Sequence, residues 1–158
     1  DGFNLILADG AEVWHYSNIE RSGTPVSRGV HGVSNHLLDT PWPKVTRAVA
    51  QFACSIANRV RTEDLLELMG DRELARDVEL PSTGVPVDWE RALSAIQIRA
   101  NGYGTRATTI VTVRADGLVS FLERTFDPMD PDHWSDRTFE FMIDTASRMA
   151  RIKAPGPN

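Results

Sequence analysis

The sequence predicts an α+β fold with antiparallel sheets, on three observations. Apolar residues alternate on both sides of Asp9-Gly10 and again around Asp116-Gly117, and Asp-Gly is a dipeptide that favours tight hairpin turns. Between these strand-rich ends, Val45, Val49, Phe52, Ile56 and Val60 recur at spacings of three or four, the period of a helix with one buried face. Strands, then helices, then strands again describe an α+β arrangement.

Each element has a local reason. The run FNLILADGAEVWHYSN predicts a hairpin over residues 3–17, with Leu5 and Leu7 on one face and Phe3 nearby. GVHGVS, Gly29 to Ser34, is short and β-like and ends at Asn35. Asp39 or Thr40 is then expected to cap a helix whose first turn tolerates Pro41 and Pro43, because its first N–H groups have no intrahelical partner. Lys44, Arg47, Gln51 and Arg59 lie off that helix's apolar line. A shorter helix starts at Thr62, with Glu63 and Asp64 well placed against the helix dipole and Gly70 at its end. LPSTGVPVDW reads as a loop, followed by a short helix from Asp88. Three strand-like runs then surround Gly102-Tyr103-Gly104 and Asp116-Gly117, and the second turn predicts a hairpin over residues 107–126. DPMDPDHWSD is a loop, RTFEFMI a last strand, and KAPGPN a frayed tail.

Composition narrows the function classes. At 158 residues the chain is of ordinary length for one globular domain, and no repeat or linker divides residues 1–158. A single cysteine, Cys54, excludes an internal disulfide framework and points to a reducing, cytoplasmic setting. No run approaches the roughly 18 consecutive apolar residues of a membrane span, so a soluble protein is expected. A net charge of −5 with no basic block argues against nucleic acid as a partner. The opening DGFNLILADG lacks a Met and a polar leader, and it suggests a fragment whose N-terminal part is missing or lies on another chain.

The segments GFNLILADG, YSN, GVHGVSNHLLDTPWPKV, LPSTGVPVDWERALSAIQIRANGYGTRATTIV and ERTFDP together resemble the NRDE family, which includes the Transport and Golgi Organisation 2 homologues. The similarity covers most of the chain, in order and without large gaps. In that family these blocks form the C-terminal portion of a longer domain. The motif that gives the family its name, and a Cys after the initiator Met, belong to an N-terminal portion absent here.

The resemblance implies an N-terminal-nucleophile hydrolase-like αββα fold, incomplete in this chain. In such enzymes a freed N-terminal side chain attacks an acyl carbon while its own amino group acts as base. By analogy Asn35 is similar to the oxyanion Asn, and Arg106 to an Arg beside the nucleophile. The flanking Ser34, His36, Trp42, Tyr103 and Thr105 are then expected to line the ligand site. The nucleophile is expected outside these residues, since Cys54 sits inside the amphipathic helix.

Plainer roles stand beside these. An Asn ending a strand commonly forms a turn, and an Arg beside a strand is commonly solvated, although Gly102 and Gly104 suggest a close approach to the backbone near Arg106. Trp42 and Pro43 are expected to staple the start of the helix onto the sheet. His15, His31, His36 and His133 lack metal-ligand spacing, and DPMDPDHW lacks the Gly and terminal Glu of a calcium loop, so no metal and no cofactor is expected.

Two functions of different class follow from the resemblance. One is a hydrolase or acyltransferase acting on an amide, ester or thioester, completed by the missing N-terminal segment. The other is a non-catalytic carrier of haem-like or acyl-lipid cargo, since the family is associated with haem movement and acyl-lipid homeostasis.

Overall fold

A computed structural model of the chain describes residues 2–9, 12–58 and 60–143; the expected tail, residues 153–158, lies outside them. The fold is α+β with antiparallel sheets, as the pattern predicts. It forms two compact units, Asp1–Thr105 and Arg106–Asn158.

The first unit opens with a three-stranded antiparallel sheet, β1 (Asn4–Ala8), β2 (Val13–Ser17) and β3 (Ser22–Pro25), in that order. The expected first hairpin is present, with Ala8 opposite Val13. Asp9 holds the connection: its N–H donates to the Glu12 carbonyl at 3.2 Å, and its carboxylate accepts from the Glu12 N–H at 3.0 Å. Register places Leu5 opposite Tyr16 and Leu7 opposite Trp14, so these four share one face, and that face is largely open to solvent. The other face carries Asn4, His15 and Ser17, with His15 and Ser17 buried.

Helix α1 (Pro43–Ala57) begins without a side-chain cap: Trp42 is the N-cap and Pro43 the first helical residue. The expected Asp39 or Thr40 cap is therefore corrected. Asp39 instead has φ 57°, and its carboxylate is engaged by the preceding loop. The apolar stripe of α1 is core only at its start. Val45 is buried, worth about 1.5–3 kcal/mol for a side chain of this type, whereas Ile56 is exposed, and Val60, expected on the same stripe, lies beyond the end of the helix and is exposed. Helix α2 (Thr62–Met69) runs as predicted, with the Asp64 carboxylate accepting from the Arg61 N–H at its start, and it packs on α1. Arg47 of α1 pairs with Asp71 and donates to the Glu73 carbonyl at 2.8 Å, which fixes the chain leaving α2. A 3₁₀ turn at Asp77–Glu79 and helix α3 (Val87–Ala92) follow, and then a small hairpin, β4 (Arg99–Ala100) and β5 (Tyr103–Gly104).

The second unit is a three-stranded antiparallel meander, β6 (Ala107–Val113), β7 (Leu118–Phe126) and β8 (Trp134–Met142). Gly117 supplies the left-handed φ of 91° that the predicted turn needs. The last strand begins at Trp134, three residues earlier than RTFEFMI suggests. Its first residues pair with β7: Arg124 and Asp136 join through two parallel bonds of 2.9 and 2.7 Å.

Candidate functional site

Residues 29–34 form no strand, which corrects the β-like reading of GVHGVS. The segment is an ordered loop, because its polar groups find side-chain rather than ladder partners. The Gly32 N–H donates to Asp39 Oδ1 at 2.9 Å, and the Asp39 N–H returns a bond to the Gly32 carbonyl at 2.7 Å. His31 adds a third tie: Nδ1 donates to Asp39 Oδ2 at 2.6 Å, and Nε2 reaches the Ser27 carbonyl at 3.0 Å. A ring donating from both nitrogens is an imidazolium. Accordingly the Asp39 bond raises the His31 pKa above the ordinary histidine value, and the same bond lowers that of Asp39. Ser27 Oγ also lies 3.4 Å from Nε2, so Ser27, His31 and Asp39 follow the order of a hydrolytic triad. The Ser27 carbonyl already occupies Nε2, however, and the arrangement works as a clamp.

Gly32 seats this loop on α1. A Cβ there would lie 2.8 Å from Val45 Cγ1 and 3.2 Å from Val49 Cγ2, so only glycine allows the backbone so close. From the sheet side, Asn4 grips the loop on both sides of Asn35. Its Nδ2 donates to the carbonyls of Ser34 at 3.3 Å and His36 at 2.8 Å, while its Oδ1 accepts from Nε2 of the buried His15 at 2.8 Å. Asn35 is exposed, its Oδ1 accepts from the Ser34 hydroxyl at 3.3 Å, and its amide N–H groups have no partner among the described residues. His36 hydrogen-bonds Thr40 Oγ1 at 2.8 Å and lies against Trp42, with centroids 5.7 Å apart.

Asn35 and Trp42 line a cavity of about 300 Å³ within the first unit. Trp42, Pro43, Pro81, Val85 and Leu93 supply its apolar wall, and Asn35, Lys44, Thr83, Glu90 and Ser94 its polar groups. Lys44 is half-buried, its ammonium donates to the Leu93 carbonyl at 2.9 Å, and burial pushes its pKa below the ordinary lysine range. Glu90 is 6% exposed, and its Oε1 accepts both the N–H and the hydroxyl of Thr83 at 2.7 Å. Ser94 is satisfied, donating to the Arg91 carbonyl and accepting from the Ala75 N–H. A wider depression of about 700 Å³ is lined by Cys54, Ser55, Asn58, Arg61 and Asp64.

The remaining expected site residues sit differently. Thr105 closes the β4–β5 hairpin: its hydroxyl accepts from the Ile98 N–H at 2.9 Å, and its own N–H donates to the Ile98 carbonyl at 2.9 Å. Tyr103 is exposed and packs edge-on against Trp89, with centroids 5.7 Å apart. The close approach that the paired glycines suggest is internal. Gly102 takes φ 73° at the turn, and a Cβ at Gly104 would lie 2.9 Å from the Ile98 carbonyl oxygen. Arg106 opens the second unit; its carbonyl accepts from the Phe126 N–H at 2.9 Å, and its side chain is exposed. Among the described residues no three His, Cys, Asp or Glu side chains gather where a metal ion could be held, and no helix is long and apolar enough to cross a membrane.

Sequence reasoning missed Lys44, Glu90, Asn4 and His15. Lys44 lies inside the quoted PWPKV block, but being off the apolar stripe it reads as a solvated face. Asn4 and His15 are polar residues on an otherwise apolar hairpin, and their pairing at positions Asn4↔Ser17 and Ile6↔His15 on one face was a usable signal.

Comparison with known proteins places these observations in a family. A family profile described as Transport and Golgi organisation 2 matches residues 1–128. Two relatives called Transport and Golgi organization protein 2 homolog, from Homo sapiens and Bos taurus, are 32% and 33% identical over 90% of the chain. A Mus musculus protein called Transport and Golgi organization 2 homolog is 31% identical over the same share. The chain spans 57% of the length of each of these relatives.

Proposed function

The chain belongs to the Transport and Golgi organisation 2 family, and on that premise we propose that the cavity beside Asn35 and Trp42 binds a small acyl-type molecule. The single observation behind this reading is the cavity itself: an apolar wall around a few polar groups is what a ligand site needs. Its volume, at the lower end for ligand cavities, favours an acyl chain over a haem-like macrocycle. The protein is then a carrier or holder of acyl cargo. A second reading, hydrolase or acyltransferase of the αββα type, is favoured by the unengaged amide of Asn35 at that cavity, which has the donors an oxyanion requires. In it the nucleophile comes from outside these residues, as the family resemblance implies.

The test is equilibrium binding of an octanoyl probe to the full-length protein, followed by tryptophan emission. Saturable binding is expected, with the emission change lost in Trp42→Phe and affinity lowered at least tenfold in Val85→Trp, which fills the cavity from an exposed loop position. Binding that survives Val85→Trp unchanged would move the ligand elsewhere.

A further inference from the structure

The cavity contains two ionisable groups of opposite sign that do not pair with each other. Among the described residues Lys44 has one hydrogen bond, to the Leu93 carbonyl, and no ion pair. Glu90, only 6% exposed, spends Oε1 on Thr83 and leaves Oε2 without a hydrogen bond among the described residues. Oε2 is not sealed in the interior but reaches open space where Glu90 lines the cavity, so a ligand that covers it must supply a partner. Asn35 adds an unengaged amide N–H₂. Thr83 and Ser94 already use their hydroxyl protons. The cavity therefore offers a charged acceptor with no bond of its own, Glu90 Oε2, and several donors, on Lys44 and Asn35.

A ligand that satisfies this set must itself donate once and accept at least once beside an apolar body. A carboxylate only accepts, and it would set a negative charge against Glu90. An ester or a thioester likewise has no proton to give. A secondary amide has both groups on adjacent atoms. Resting on the acyl-site reading above, we infer that the cavity selects N–H-bearing acyl amides, with Glu90 Oε2 accepting the amide N–H and Lys44 or Asn35 donating to its carbonyl. Glu90 is then the residue that separates amides from esters, thioesters and free fatty acids. The expected discrimination is large, because a ligand without the proton would cover Glu90 Oε2 and leave it unmatched.

The experiment is calorimetric titration of the full-length protein with three probes: N-methyloctanamide, its isostere ethyl heptyl ketone, and octanoate. The wild type is expected to favour the amide over the ketone by at least tenfold, and octanoate weakest of all. Glu90→Gln keeps an oxygen for Thr83 while turning Oε2 into an N–H₂ donor. That variant should bring the amide-to-ketone ratio down to about one and improve octanoate relative to both, and comparing ratios cancels the probes' own hydration. Equal wild-type affinity for amide and ketone, or tightest binding of octanoate, overturns the inference while leaving an acyl site in place. No binding of any probe overturns the acyl-site reading as well. Where Glu90→Gln fails to fold, the wild-type complex with N-methyloctanamide decides: the inference requires the amide nitrogen within hydrogen-bond distance of Glu90 Oε2, and a nitrogen turned elsewhere refutes it.

Discussion

The loop from Gly29 to Thr40 and the sheet formed by β6, β7 and β8 use their side chains in opposite ways. The loop has little regular structure, yet Asn4 and Asp39 bind its backbone from different sides, and His31 ties Asp39 to the carbonyl of the preceding Ser27. The sheet has every ladder in register, yet Val111, Val113, Phe139 and Phe141 on one face are each more than half exposed. Order therefore does not follow the secondary-structure label. In the loop it comes from particular polar contacts, so single changes should matter greatly. In the sheet it comes from a repeated backbone pattern, so single changes on the open face should matter little.

The largest expected effect tests the loop's purpose. In the hydrolytic reading, Asn35→Ala in the full-length protein lowers turnover by about 10² to 10³, roughly 2.7–4 kcal/mol, with the melting temperature nearly unchanged. In the carrier reading there is no rate to lose and affinity falls only modestly; steady-state kinetics alongside thermal melting separates the two.

Next comes the grip on the loop. Asn4→Ala removes donors to two carbonyls and strands the Nε2 proton of buried His15, a loss of about 1–3 kcal/mol by denaturant unfolding. Gly32→Ala should cost a similar amount, about 1–3 kcal/mol, because the branched Val45 side chain at 2.8 Å has little freedom to yield. If either variant unfolds like the wild type, the loop is not held as described.

A smaller effect depends on pH. His31, with its pKa raised, stabilises the clamp fully below its ordinary value of 6.5, and this contribution is lost as pH rises through the raised one. Asp39, with its pKa lowered, stabilises it above 3.8, and that contribution is lost as pH falls through the lowered one. Both contributions are whole only between those two ordinary values. Solvent reaches both groups, so the clamp contributes no more than about 1 kcal/mol. An NMR titration should place the His31 ring above the ordinary histidine value in the wild type and return it to that range in Asp39→Asn.

The smallest effect belongs to the sheet. Phe139→Thr should shift the stability of this 158-residue chain by less than about 0.5 kcal/mol. Combined with Phe141→Thr, it should reduce self-association seen by light scattering, because a broad exposed apolar face promotes contact between copies. A destabilisation of several kcal/mol would mean that the face is covered.

This contrast also explains what was legible in the sequence. The hairpins around residues 8–13 and 113–119 could be read because Asp-Gly turns and alternation are local properties. Helix α1 could be read from its period. GVHGVS has the composition of a strand, but among the described residues no strand pairs with it, and pairing is decided by distant residues. Asp39 looks like a helix cap in a short window, but its partner is Gly32, seven residues earlier. At the site, Asn35 and Trp42 stood out because they share a block with the family resemblance. Glu90 and Lys44 did not, because what joins them is long-range: the carbonyl that anchors Lys44 lies 49 residues away, on Leu93.

The Pro41-Trp42-Pro43 sequence at the start of α1 has a thermodynamic consequence for whatever enters the cavity. Each ring fixes one backbone torsion, and each proline restricts the residue before it, so the chain around Trp42 has few alternative shapes even before folding. The indole wall is therefore largely in place before a guest arrives, and little freedom remains to be lost on binding. Pro41→Ala or Pro43→Ala would return some of that freedom, and the resulting penalty should appear as a less favourable binding entropy even though no atom touching the guest has been removed.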